Sequence, residues 1–195
     1  MSNENTHQEA RKAIRWLQIY FESLRKWIAA VDEVCTDRGW MMFEPNRAST
    51  ALGNGYRDNT QWVMNWIARH YYQNGSDKSL LIHLPLAAKT YEDEDRVYCY
   101  VSHIQHPQVA PEEGIPSFSR DWTGTPIVNG MREQETNTWV RLEEQLARKA
   151  LKGTLGIAVC KIPMVEFGDS AESVRQKLEG ILDALGNGEE NHQGF

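Results

Sequence analysis

"TQWVMNWIARHYYQNG", residues 60–75, packs two tryptophans, two tyrosines and a histidine into one short segment. Two periodicities fit it, and the fold turns on which one is real. As a strand, positions 62, 64, 66, 68, 70 and 72 line one face. As a helix, Trp62, Trp66 and His70 stack in one row, with Val63, Ile67 and Tyr71 in the row beside it. About thirteen residues is long for a strand and ordinary for a helix. Asp58 or Asn59 can cap the start, and Asn74-Gly75 supplies a left-handed stop. The aromatic and β-branched content argues for a strand. Length and caps together predict a helix over 60–73, serving mainly as core, with one tyrosine or His70 at its rim.

Upstream, residues 10–36 form the clearest element. Ile14, Leu17, Phe21, Leu24, Ile28, Val31 and Cys35 recur at alternating spacings of three and four, so they share a helix face. Ala13, Trp16, Tyr20, Trp27 and Val34 make a second apolar row beside it. A helix lying on a sheet needs one stripe, not two. Trp16, Tyr20 and Trp27 are therefore candidate interface residues, unless the helix expected at 60–73 covers them. "WMMFE" (40–44) predicts a short strand ended by Pro45, and a glycine- and asparagine-rich loop follows to residue 59.

Downstream, 79–87 and 96–105 predict two strands joined by an acidic hairpin tip, "EDED". Residues 107–136 hold four of the seven prolines and predict a long loop. A helix is expected over 138–152, with Trp139, Leu142, Leu146 and Ala150 on one face. A near-continuously apolar strand follows over 155–167. The last helix opens at Asp169, which has capping-box spacing to Glu172. The sum is an α+β fold: a mostly antiparallel sheet of about four strands packed against a long N-terminal amphipathic helix and further helices. One domain is expected over 1–188, with a frayed tail at 189–195.

Composition narrows function more than it names it. The 195 residues carry 41% hydrophobic and 25% charged side chains, as folded domains do. The net charge of −6, with basic residues scattered, gives no footprint for a phosphate backbone, so no nucleic-acid partner is expected. Cys35, Cys99 and Cys160 are odd in number and far apart, which suits reduced thiols in the cytoplasm. The first dozen residues are polar, without the apolar core of a signal peptide. The longest apolar run, "LLIHLPLAA", is broken by His83 and Pro85 and is too short to span a membrane.

The motifs that invite a chemical reading each lack a part. "LGNGYRD" (52–58) precedes the expected helix, but Asp58 stands where a dinucleotide fingerprint needs glycine. It reads as a flexible turn, with Arg47 and Arg57 as weak ligand candidates. His103 and His106 lie three apart on a strand, which sends them to opposite faces, so no metal is expected. His83 alternates away from its apolar neighbours and reads as a solvent-edge or satisfied core histidine. "GDSAE" lacks the second glycine of a nucleophile elbow, leaving Asp169 and Ser170 as helix caps. A nuclease strand would need an acid two residues before Lys161, where this chain has Val159. Arg120 and Trp122 in the long loop are the remaining ligand candidates, tryptophan and arginine being frequent at binding hot spots.

No cofactor and no catalytic constellation is expected. The leading expectation is a non-catalytic cytosolic protein-interaction module, a homodimer or an accessory subunit. The alternative is a small-ligand binder or enzyme using the loops at 45–58 and 107–136.

Overall fold

Residues 66–72 are a strand, not a helix. The computed structural model describes residues 3–43, 49–50, 66–86, 97–108 and 124–191. Within it, β3 (Trp66–Tyr72) pairs antiparallel with β4 (Lys78–Pro85), from Trp66 opposite Pro85 to Tyr72 opposite Ser79. Asn74-Gly75 is the hairpin turn between them, with Gly75 at φ 71°. The same dipeptide that can stop a helix is also a strong hairpin signal, and here the hairpin wins. Ile67 and Tyr71 are buried toward one layer and Ala68 and His70 toward the other. Burial on both faces explains why no polar stripe marks the segment. Residues 60–65 of the expected helix lie outside the described residues.

Among the described residues the sheet has seven strands in the order β1-β3-β4-β5-β7-β6, with β2 also paired to β3, and every pairing is antiparallel. Beyond β3 and β4, its long strands are β5 (Tyr98–Gln105) and β7 (Gly156–Pro163). The short ones are β1 (Met41–Met42), β2 (Ser49–Thr50) and β6 (Trp139–Arg141). β1 and β2 lie along the outer margin of β3: Met41 and Met42 pair with Tyr72 and Tyr71, and Ser49 and Thr50 with Ala68 and Ile67. Between them the Phe43 N–H donates to the His70 carbonyl at 2.8 Å.

The α+β class stands, with more strands than expected. The helix expected over 138–152 divides. Asn137 takes a left-handed φ of 61° and turns the chain into β6, whose Trp-Val pair suits a strand. Trp139 Nε1 then donates to the Ile181 carbonyl at 3.1 Å. Only Glu144–Ala150 is helical there (α3). The expected strand 155–167 ends at Pro163, and a 3-10 helix follows over Met164–Phe167. The expected loop 107–136 contains a short helix, α2 (Gly124–Gly130), and residues 109–123 lie outside the described residues.

Helices cover both faces. On one, α1 (Asn3–Asp37) and α4 (Ala171–Asn191) bury Leu24, Val31, Val34, Leu178 and Ile181 against Ile67, Ile82, Val101 and Ile162. On the other, α2 and α3 bury Ile127, Met131 and Ala147 against Leu81, Ile104 and Val159. Each fully buried aliphatic side chain contributes about 1.5–3 kcal/mol. A methyl group at Gly130 would come within 2.6 Å of Leu142 Cδ2, so glycine lets this side close up. α4 starts with reciprocal capping one residue later than expected. The Ser173 N–H donates to Ser170 Oγ (3.0 Å), and the Ser170 N–H donates to Ser173 Oγ (3.2 Å).

Asp32 pins α1 to the sheet. It pairs with Arg69 and accepts the Tyr71 hydroxyl at 2.5 Å, and the Arg69 side chain is 8% exposed. Arg175 of α4 reaches Glu33 (2.7 Å) and Asp37 (3.0 Å) of α1. All three cysteines are buried free thiols. No described helix is long and apolar enough to cross a membrane.

Candidate functional site

The second apolar row of α1 does not behave as a unit. Trp27 is buried, edge-on to Phe167 with ring centroids 5.5 Å apart, so it is core rather than interface. The layer beneath that half of the helix consumes it. Trp16, three turns earlier, is 62% exposed, and its ring stacks on Tyr20 at 5.3 Å and 6°. Ile14 and Ile19 are 57% and 60% exposed. Every residue from 7 to 16 is exposed, and among the described side chains the first buried one is Leu24. At 1.5 Å per residue, about 30 Å of helix precedes that point. Leu17, Tyr20 and Phe21 are half-buried between the two regimes. Partial burial raises the Tyr20 pKa, keeping the phenol neutral and suited to an apolar contact. The intrachain cover expected from 60–73 does not form over 66–72, which is the strand β3.

The other candidates fall differently. Arg47, Arg57, Arg120 and Trp122 lie outside the described residues. His103 and His106 part as expected. His103 shares the α1-side face with Leu80 and meets the Trp40 ring edge-on at 6.5 Å. His106 stands just past the end of β5, where its Nε2 lies 2.7 Å from Ser79 Oγ. Ser79 Oγ is also 2.9 Å from His70 Nε2. A hydroxyl between two imidazoles donates to one and accepts from the other, so the two rings adopt complementary tautomers. Burial, and then His70 and His103, push the His106 pKa down to about 3, leaving it neutral. Sequence spacing gave no sign of this bridge, because strand pairing creates it. The arrangement resembles an activated serine, but Ser79 is fully buried and cannot meet a substrate. It ties β3, β4 and the end of β5 together.

His83 is a core histidine rather than a solvent-edge one: it is buried beside Tyr100, and desolvation lowers its pKa to about 4. Lys161 is buried too. Its amine donates to the carbonyls of Met131 (2.9 Å) and Arg132 (3.1 Å) just past α2, and sits 5.2 Å from the centroid of the Tyr98 ring. That geometry serves packing of β7 against α2. Among the described residues, no group of three His, Cys, Asp or Glu side chains is placed to hold a metal ion. The thiols are poor nucleophiles, since burial raises Cys35 to about 12 and Cys160 to about 11.

The described chemistry-bearing groups of the interior thus hold the layers together. Among the described residues, an accessible apolar feature is the exposed set Ile14, Trp16 and Ile19 in the first half of α1. Comparison with protein-family models, with curated proteins and with solved structures gives no match to this chain.

Proposed function

We propose that this chain is a non-catalytic protein-interaction module that pairs with a second copy of itself through the first half of α1. One observation carries the reading: the exposed Trp16–Tyr20 stack, flanked by exposed Ile14 and Ile19, on a helix whose second half is core. Contiguous apolar patches of this kind mark interaction sites, and two-fold pairing is the commonest way to cover them. The spacing supports antiparallel pairing. An axis near Leu17 sets Ala13 against Phe21 and Ile14 against Tyr20 of the other copy, small or aliphatic against aromatic. The buried free thiols support a reducing, cytoplasmic setting.

Light scattering after gel filtration tests the proposal. A mass of two chains is expected at micromolar concentration, falling to one in Trp16→Glu/Ile14→Glu, whose far-ultraviolet spectrum stays unchanged because both side chains are exposed. A wild-type mass of one chain sinks the dimer. A dimer that survives the double substitution places the interface elsewhere.

A further inference from the structure

We draw no further inference here: the strongest candidate, the apolar surface patch of Val97 and Val165 where the 3-10 helix meets the start of β5, carries none, because nothing among the described residues shows what covers it.

Discussion

Lowering the pH from 7 to 5 should destabilise this protein through two buried histidines. Desolvation sets the His83 pKa near 4, and burial with neighbouring His70 and His103 sets His106 near 3, both below the ordinary 6.5. A pKa lower in the fold means that the unfolded chain binds the proton first. Each histidine's contribution is therefore intact above pH 6.5 and is lost as pH falls toward the folded values. At pH 5 neither ring is protonated in the fold, while both are largely protonated in the unfolded chain. The cost is the gap from 6.5 to 5, about 1.5 units, or about 2 kcal/mol per histidine at 1.36 kcal/mol per unit. Two sites give about 4 kcal/mol, a large share of the roughly 5–15 kcal/mol that holds a domain folded. Ordinary carboxylates titrate near 4, so the window from 7 to 5 isolates imidazole. Urea unfolding monitored by tryptophan fluorescence at the two pH values measures the loss. The comparison chain is His83→Gln/His106→Gln, which carries no charge at either position. Its absolute stability can differ from wild type, because the readout is each chain's own change with pH. The double variant should lose about 4 kcal/mol less than wild type between pH 7 and 5. Equal losses would refute the reasoning, since the buried rings would then be protonating freely in the fold.

Asp32→Asn should cost about 3–5 kcal/mol, because it leaves the buried Arg69 guanidinium without its carboxylate. Asp32→Leu/Arg69→Met should recover much of that loss in urea titrations, and a double variant no better than the single one would contradict the assignment. With Cys35 raised to about 12, Cys160 to about 11 and Cys99 also raised by burial, an aromatic disulfide reagent at pH 8 should label none of them until urea unfolds the chain. Rapid labelling of native protein would show that one of these thiols is open to solvent.

Much of the architecture was legible because its signals were redundant. α1 announces itself through spacing sustained over several turns. The β4, β5 and β7 strands combine apolar runs with turn residues at their ends. Residues 60–73 misled because Asn74-Gly75 fits a helix stop and a hairpin turn equally well. The whole stretch also has the length of a helix, although β3 occupies only 66–72. Burial of β3 on both faces removed the polar alternation that would have arbitrated. Trp16 and Trp27 show a different limit. They lie in the same row of one helix, and only the extent of the layer beneath decides that one is exposed and the other core.

Met41–Met42 and Ser49–Thr50 run beside β3 as two short strand pieces, and this governs how the protein can grow into larger bodies. A bare outer β3 would offer a row of amides and carbonyls to any extended peptide, including another β3. Met41, Met42, Phe43, Ser49 and Thr50 occupy that row, from Tyr72 at one end to Ile67 at the other. At the opposite margin β6 offers only three residues. Among the described residues, fibril-like stacking sheet on sheet therefore has no long template at either side. If these two pieces were peeled away, by heat or by a substitution such as Phe43→Pro that removes the hydrogen bond to His70, β3 would become a nucleus. Slow aggregation would then follow without global unfolding.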